Sequence, residues 1–270
     1  MNSNNRKMTI TSVQNDKVKA MAALLDKKHR DRSGQFIIEG IHLVQEALLA
    51  KAEVAAIVYD MERGLPKELA PLLESIDSCD LIEATSAVMA KCTGTESPPP
   101  VFGVVRKFSL DAQQLYKESS LVVVLDGVRD PGNMGTIIRS ADAVGADAVV
   151  LGKGCVDLYN PKTVRSTMGS LFHLPILEGD LAELLSEAKS RGIRLVGTSL
   201  AATDTCYSFD WRGPTWLLLG SEGDGLSASS LAQVDHNVII PMHGKSESLN
   251  VAMAGTVLLY EALRQRQYGG

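Results

Sequence analysis

The sequence lacks the features that would place it in a membrane, a secretory pathway or a metal-binding class. Its 270 residues contain no apolar run of the ~18–20 residues needed to cross a bilayer. The polar N-terminus, MNSNNRKMTITS, has no apolar core of a secretory signal. The four cysteines lie far apart and form no CxxC pair, which argues against a zinc site and a disulfide framework. We therefore expect a cytoplasmic protein with reduced thiols and with neither a membrane nor a metal as partner.

Common nucleotide-binding and hydrolase motifs are missing as well. Gly244-Lys245-Ser246 resembles the end of a phosphate-binding loop, but Ile239 stands where GxxxxGK[ST] needs its first glycine. No strand-like run is followed by GxGxxG, and HExxH and GxSxG do not occur. These absences argue against P-loop NTPases, dinucleotide-dependent oxidoreductases and serine hydrolases.

The charge is acidic overall but uneven along the chain. The formal net charge is −5, whereas residues 1–34 carry eight Lys/Arg against three Asp/Glu. Residues 35–120 carry seven against thirteen, and residues 121–270 carry twelve against sixteen. A basic leading segment is typical of an RNA- or DNA-binding surface, but it also occurs as a solvated helix face. Charge alone leaves both interpretations open.

The first part of the chain alternates short strand and helix patterns. An amphipathic helix is predicted from Val18 to Arg30, and a Pro66-led stretch also has a helical pattern. The strand-like runs are QFIIEG, AAIVYD, DLIEA and VFGVVRKF, and the helical runs are IHLVQEALLAKA and SAVMAKC. This alternation predicts a compact α/β domain with a basic leader over residues 1–110, followed by a polar linker over 111–120.

The remaining residues, 121–270, predict a second and different α/β domain. The runs LVVVLDG, DAVVLG, RLVGTS, TWLLLG and NVIIP are continuously apolar, which is typical of parallel strands buried on both faces. Helical stretches separate them. In such sheets ligands bind at the carboxyl ends of the strands, so the loops there are the candidate site.

The loop after LVVVLDG contains two candidate functional residues. Asp130-Pro131-Gly132 is turn chemistry, and Asn133 can cap the helix that follows. Arg139 lies on that helix. A plain helix cap for Asn133 and an ion pair from Arg139 to Asp142 are the structural alternatives to a functional role.

A second loop, LLLGSEGDGLSASSL, places a carboxylate among glycines. Gly220, Gly223 and Gly225 permit close backbone approach to a ligand, and Glu222 stands between them. Ser227 is the predicted N-cap of the next helix. A carboxylate in this setting at the end of a buried strand favours a functional role.

Taken together, three segments resemble the signature motifs of the SpoU (TrmH-type) RNA ribose methyltransferases of the SPOUT superfamily. They are DPGNMGTIIRSADAVGA, LLLGSEGDGLS and IIPMHGKSESLNVAMAGTVLLYEALRQ, in the same order and spacing as in the family. Residues 35–107, beginning FIIEGIHLVQEAL, are similar to the small ribosomal-protein-like RNA-binding domain often fused ahead of this catalytic domain.

The resemblance implies an RNA-modifying enzyme with S-adenosylmethionine as cofactor. It implies methyl transfer to a ribose 2′-hydroxyl of structured RNA, rRNA rather than tRNA, by a homodimer. It also implies a SPOUT domain in which the C-terminal segment threads into a deep trefoil knot. The apolar pattern alone argues against a knot, because threaded chains are very rare. A tRNA ribose methyltransferase, a base-methylating SPOUT enzyme and a non-catalytic RNA-binding protein are the alternatives.

The resemblance also implies two sets of site residues. Those matching cofactor-binding positions are Gly197, Thr198, Ser199, Gly220, Ile240, Met242 and Leu249. Those matching polar positions around the reacting hydroxyl are Asn133, Arg139, Glu222, Ser248 and Asn250. No metal ligand is implied.

The chemistry suggests how this polar set would act. A ribose hydroxyl is barely acidic, so the site must orient it and help remove its proton. A guanidinium keeps its proton in proteins, so we expect Arg139 to bind the target phosphate and stabilise the developing alkoxide rather than act as the base. The proton would leave to a phosphate oxygen, water or Glu222. Asn133 and Asn250 are expected to orient Arg139, Glu222 and the ribose, and Ser248 to do the same or to cap the final helix.

RNA binding is expected to depend on the N-terminal domain and its basic leader. The side chains expected to contact phosphates are Lys17, Lys19, Lys27, Lys28, Arg30 and Arg32. Because such contacts release counterions, the affinity should fall steeply with salt.

Overall fold

The computed structural model describes residues 7–74, 79–108, 110–246 and 248–269. Contacts between Cα atoms divide these residues into two compact units. One comprises the described residues as far as Phe108 together with Asp157–Phe172, and the other comprises the described residues of 109–156 and those from His173 onward. The domain bounds predicted from the sequence, 1–110, 111–120 and 121–270, place the whole of 121–270 in the second domain. In the structure, Asp157–Phe172 belong to the first unit. None of the described helices is long and apolar enough to cross a membrane.

The N-terminal part of the chain contains five strands and five helices among its described residues. They are β1 (Lys7–Ile10), α1 (Asp16–Ala23), α2 (Lys27–Ser33), β2 (Gln35–Glu39), α3 (Ile41–Leu49), β3 (Val54–Asp60), α4 (Ala70–Leu73), β4 (Asp80–Ala84), α5 (Ser86–Thr93) and β5 (Val101–Arg106). The sheet order is β1-β4-β3-β5-β2, with β5 antiparallel to both of its neighbours. Its core packs the apolar side of α1 and α5 on the sheet through Val18, Met21, Val88, Ile82 and Phe102.

The prediction of one helix from Val18 to Arg30 is wrong. Two helices, α1 and α2, are separated by Leu24, Leu25 and Asp26. Asp26 has extended backbone angles, and its carboxylate accepts the N–H of Lys28, so it begins a new helix. The apolar residues that gave the helical period end at Leu25, and α2, KKHRDRS, contains none, so apolar spacing does not extend the first helix to Arg30.

Arg30 is not available to bind RNA, which corrects its assignment as a phosphate contact. Its side chain is 3% exposed and donates to the backbone oxygens of Leu24 and Leu25 at 2.7 and 2.8 Å. Its Nε donates to the carboxylate of Asp157 at 3.1 Å, within the same unit. Lys17 and Lys27 are exposed but form ion pairs with Asp80 and Asp31. The buried guanidinium therefore holds α2 against Asp157 and the preceding residues, and it is not exposed to bind an RNA phosphate.

The C-terminal part of the chain continues with the remaining strands and helices. They are β6 (Leu121–Asp126), α6 (Pro131–Ala143), β7 (Ala148–Leu151), α7 (Pro161–Thr167), β8 (Ile176–Glu178), α8 (Leu181–Ser190), β9 (Arg194–Thr198), β10 (Asp204–Thr205), β11 (Thr215–Gly220), α9 (Ala228–Leu231), β12 (His236–Ile239) and α10 (Val251–Tyr268). Of these, α7 belongs to the first unit. In the stretch expected to be a linker, Ala112–Leu115 form a 3₁₀ helix.

All pairs in the second sheet are parallel, in the order β10-β12-β9-β11-β6-β7-β8. The two central strands, β6 and β11, are buried at every position. This is the arrangement that continuous apolar runs predict. The expected fold class, a parallel-sheet α/β domain preceded by a small α/β domain, is confirmed. The trefoil knot stays a prediction.

Candidate active site

The carboxyl ends of β9, β11 and β12 open into one pocket of about 520 Å³. Six residues predicted to bind the cofactor line it: Thr198, Ser199, Gly220, Ile240, Met242 and Leu249. The seventh, Gly197, is buried within β9, where an added Cβ would meet the side chains of Asn237, Leu226 and Val234 at 3.1–3.2 Å. Gly197 therefore packs strands together rather than lining the pocket.

Sequence reasoning missed several apolar residues of the pocket wall. They are Leu200, Leu219, Leu226, Val238, Ile239 and Ala254. Most belong to the ends of the apolar strands or directly follow a predicted site residue. Their position beside the motifs was visible in the sequence, but which of them face a cavity depends on strand register. The lining thus combines aliphatic side chains with the polar side chains of the predicted site.

Position 220 requires a glycine, because the backbone of Gly225 and Leu226 leaves no room for a side chain there. A Cβ on Gly220 would lie 2.1 Å from the carbonyl carbon of Gly225 and 2.3 Å from the nitrogen of Leu226. Ser221 and Gly225 exchange two backbone hydrogen bonds of 2.9 and 3.1 Å, and Gly225 has a φ of +71°. The chain therefore reverses immediately after β11, and Glu222 sits on the resulting tight turn.

Three predicted polar residues meet in one hydrogen-bonded chain. Asn250 Nδ2 donates to Asn133 Oδ1 at 3.0 Å, and Asn133 Nδ2 donates to Glu222 Oε1 at 2.9 Å. The backbone N–H groups of Asp130 and Arg129 donate to the two carboxylate oxygens of Glu222, each at 3.3 Å. Residues more than 80 positions apart in sequence are thereby held at one point beside the pocket.

These donors make Glu222 a stabilised carboxylate. Burial by itself raises the pKa of Glu222, but the hydrogen bonds from Asn133 and from backbone N–H groups outweigh it and hold the pKa below its usual value. Glu222 is therefore ionised at neutral pH and is a weaker base than an ordinary glutamate.

The helix ends are capped by residues other than those expected. Asp130, not Asn133, is the N-cap of α6, and its Oδ1 accepts the Asn133 N–H at 2.8 Å. Asn250, not Ser248, caps α10, since its Oδ1 accepts the N–H groups of Ala252 and Met253. Both corrections leave the Asn133 side chain free to serve the network. Ser227 caps α9 as predicted.

Arg139 and Ser248 stand apart from the network. Arg139 is exposed on α6 and, among the described residues, has no ion-pair partner. Asp142, its alternative partner, instead lies 3.0 Å from Nδ1 of His173. Ser248 borders the pocket and is exposed, and its backbone oxygen accepts from the Ser246 hydroxyl at 2.9 Å. In the part of the chain that the structure describes, no cluster of His, Cys, Asp and Glu could hold a metal ion.

The sheet and pocket define an α/β domain with a pocket at the carboxyl edge of a parallel sheet, where ligands bind in such folds. The sequence model of the SpoU rRNA Methylase family matches residues 120–260, and that of the MRM3-like substrate binding domain matches residues 15–103. The chain belongs to the SpoU rRNA methylase family.

Curated relatives match over nearly the whole chain. The chain is 38% identical to the 23S rRNA (guanosine(2553)-2′-O)-methyltransferase RlmP of Bacillus subtilis, covering 93% of this chain and 97% of that protein. It is 37% identical to the 23S rRNA (uridine(2479)-2′-O)-methyltransferase of Streptomyces viridochromogenes, covering 92% and 89%. Among solved structures, the AdoMet-bound rRNA methyltransferase from Sinorhizobium meliloti matches with a TM-score of 0.87 at 32% identity, covering 97% of this chain and 98% of that one.

Proposed function

We propose that this protein transfers a methyl group from S-adenosylmethionine to a ribose 2′-hydroxyl of 23S rRNA. The observation that carries the proposal is the hydrogen-bonded chain from Asn250 through Asn133 to Glu222, whose two end residues line the pocket. Its family membership and the names of its relatives support the reaction and the RNA class. A cytoplasmic location is part of the proposal and follows from an rRNA substrate.

The pocket fits the cofactor in size and chemistry. A volume of about 520 Å³ is within the ~300–1,000 Å³ of typical small-molecule sites. Aliphatic side chains of the lining suit an adenine ring, and backbone N–H and C=O groups of the lining residues would bind its edges. Thr198, Ser199, Gly220, Ile240, Met242 and Leu249 are the residues proposed to hold it. S-adenosylmethionine, when bound, supplies a methyl group on a positively charged sulfur.

The polar residues are proposed to orient the ribose and to handle its proton. Glu222 is anchored by N–H donors and offers its remaining lone pairs as acceptors for a hydroxyl at the pocket mouth. Because its pKa is lowered, it fits an orienting role better than that of a strong base. The proton would then pass to water or to a phosphate oxygen. Arg139 would add a fixed positive charge that stabilises the alkoxide.

A homodimer with a knotted C-terminal segment is also part of the proposal. The exposed face of α10 carries Met253 and Tyr260, seven residues apart and 51% and 50% exposed. Residues at this spacing share one face of a helix, so they form an apolar stripe suited to a second copy. RNA is proposed to bind the N-terminal domain, whose described part includes the exposed cations Lys28 and Arg32.

Labelling with a radioactive methyl donor tests the reaction. Protein-free 23S rRNA and total tRNA would be incubated separately with the enzyme, and the product digested with alkali, to which 2′-O-methylated linkages are resistant. We expect a labelled, alkali-resistant dinucleotide from the rRNA. Label in tRNA alone would favour a tRNA ribose methyltransferase, and label on a base would favour a base-methylating enzyme. No label, with no binding of S-adenosylmethionine by calorimetry, would leave a non-catalytic RNA-binding protein.

A further inference from the structure

Two basic side chains stand at the carboxyl edge of the second sheet without an assigned role. Arg129 lies in the loop after β6, and Lys153 lies in the loop after β7. These strands are neighbours, paired in register up to Leu125 and Leu151, so both loops leave the sheet at the same edge. Both side chains are exposed, and within the described ranges neither has an ion-pair partner.

The two loops are fastened to each other. The Gly152 N–H donates to the Leu125 oxygen at 2.8 Å, and the Val156 N–H donates to the Val128 oxygen at 2.9 Å. Between these bonds, Gly154 lies next to Gly127, and an added Cβ would be in ordinary van der Waals contact with the Gly127 Cα at 3.8 Å. The backbone that carries Lys153 is therefore held against the backbone that carries Arg129.

Arg129 is also joined directly to the proposed reaction centre. Its backbone N–H donates to Oε2 of Glu222, so its side chain starts beside that carboxylate. One residue further on, Asp130 donates its N–H to Oε1 and caps the helix that carries Asn133. Arg129 is thus adjacent to Glu222, and Lys153 lies on the loop that is hydrogen-bonded to the loop of Arg129.

The carboxylates nearest to Arg129 in sequence accept hydrogen bonds from backbone N–H groups and, in the described part of the chain, form no ion pair with Arg129 or Lys153. Asp126 accepts the Ser227 N–H at 2.8 Å, and Asp130 accepts the Asn133 N–H at 2.8 Å. Asp224 is exposed on the same edge, but it belongs to the glycine turn after β11, on the other side of β6. Among the residues that the structure describes, Arg129 and Lys153 therefore have no carboxylate as an ion-pair partner.

We propose that Arg129 and Lys153 bind phosphate groups of the RNA next to the methylated nucleotide. This inference rests on the proposed function. A guanidinium can donate to two phosphate oxygens at once, and an ammonium acts as a point charge, so the pair suits a polyanionic backbone. Phosphate contacts carry no base information but fix register, which here would place one ribose over Glu222.

Salt-dependent binding with charge-matched variants tests the assignment. The variants are Arg129→Gln, Lys153→Gln and the double substitution. The matched control is Arg212→Gln, an equal loss of charge at an exposed residue before β11, at the opposite edge of the sheet. Filter binding of protein-free 23S rRNA would be measured between about 50 and about 200 mM salt. Calorimetry with S-adenosylmethionine would verify that each variant is folded.

We expect each substitution to weaken RNA binding about fivefold at the lower salt concentration. The slope of log affinity against log salt should fall by about one per side chain and about two for the double variant. Arg129→Lys and Lys153→Arg should keep most of the slope, and the affinity for S-adenosylmethionine should not change.

Two outcomes would overturn the inference. One is a double variant with the affinity and salt slope of Arg212→Gln. The other is RNA affinity that falls only together with the affinity for S-adenosylmethionine, which would indicate a distorted pocket. Failure of the proposed function is recognised separately, because the unaltered protein would then methylate no RNA.

Discussion

At the scale of single residues, the site is a hydrogen-bonded chain with one direction. The Glu222 carboxylate can only accept, so Asn133 must donate through Nδ2 and present Oδ1 to Asn250. Asn250 must then donate through Nδ2, which leaves its Oδ1 for the first N–H groups of α10. Both amide orientations are therefore determined by their partners. The Glu222 carboxylate at one end of the chain and the first N–H groups of α10 at the other end thus determine how both asparagine amides are oriented.

Loss of the Asn133 amide should change the acidity of Glu222. Burial opposes ionisation and the hydrogen bond from Asn133 is the largest opposing contribution, so Asn133→Ala should raise the pKa of Glu222. Methyl transfer should fall by about a hundredfold, as expected when a reacting group is misplaced. The check is a carboxyl ¹³C NMR titration, in which the wild-type Glu222 midpoint should lie below that of an ordinary glutamate. Asn250→Ala, which keeps the Asn133–Glu222 bond, should shift it less; equal midpoints in the wild type and Asn133→Ala would contradict the prediction.

Two glycines of the same turn should differ sharply in their tolerance of a methyl group. Gly220→Ala brings Cβ within 2.1 Å of backbone, whereas a Cβ on Gly223 meets open space. Overpacking of this kind costs about 1–3 kcal/mol. Each ~1.4 kcal/mol of distortion transmitted to the pocket weakens cofactor binding about tenfold. Thermal unfolding and calorimetry with S-adenosylmethionine should therefore find Gly220→Ala impaired and Gly223→Ala close to wild type; similar behaviour of the two would count against the role given to the turn.

At the scale of elements, α10 is tied to the site because the residue that caps it, Asn250, has two tasks. Asn250 caps the helix with Oδ1 and positions Asn133 with Nδ2. Further along, the helix packs on α6, where the Ser140 and Thr256 hydroxyls lie 2.7 Å apart. This contact holds α10 against α6, the helix that carries Asn133.

Substitutions at Asn250 should separate capping from catalysis. Asn250→Asp retains an N-cap acceptor, and a negative charge at a helix N-terminus is favourable, so stability should be kept. It loses the donor to Asn133, so methyl transfer should fall by about a hundredfold. Asn250→Ala should lose activity and also about 1 kcal/mol of stability. Melting temperatures and single-turnover rates would be compared, and wild-type rates in Asn250→Asp would refute the positioning role.

Sequence patterns predicted the strands that are buried on both faces. They missed the short edge strands and the helix ends that depend on a single capping side chain. Long apolar runs such as that of β6 and β11 were predicted because both faces of a central parallel strand are buried. The edge strands β8 and β10, of three and two residues, are too short for a pattern. The break at Asp26 and the cap at Asp130 depend on one side chain accepting one N–H, which periodicity does not register.

The candidate site could be predicted in its parts but not in its assembly. The motifs pointed to Asn133, Glu222 and Asn250, and the structure brings these three together. The same reasoning placed Gly197 with the cofactor, although its lack of a side chain serves strand packing. It also assigned Arg30 to the RNA phosphates, because sequence cannot distinguish an exposed guanidinium from one buried against Asp157 and two carbonyl groups. Motifs specify residue types, and tertiary packing decides which of them face the ligand.

At the scale of the whole molecule, the exposed apolar face of α10 is the feature that a second copy would explain. The opposite face is buried through Ala252, Gly255, Leu258 and Ala262. Met253 and Tyr260 remain half exposed on a helix that begins at the proposed reaction centre. A stable dimer buries about 800 Å² on each partner, which requires more than one such side chain and favours a continuous helix face.

Two tyrosines of α10 provide a matched test of the homodimer. Tyr260 is 50% exposed in the middle of the helix, and Tyr268 is 75% exposed at its last residue. Burying an unpaired carboxylate in an apolar interface is costly, so Tyr260→Glu should dissociate the dimer while Tyr268→Glu should not. Light scattering after size-exclusion chromatography should give twice the chain mass for the wild type and Tyr268→Glu, and a single chain mass for Tyr260→Glu. A wild type of single chain mass would refute the homodimer. An undissociated Tyr260→Glu would instead place the interface elsewhere, because a helix face at the centre of a dimer cannot accept a buried charge without weakening it.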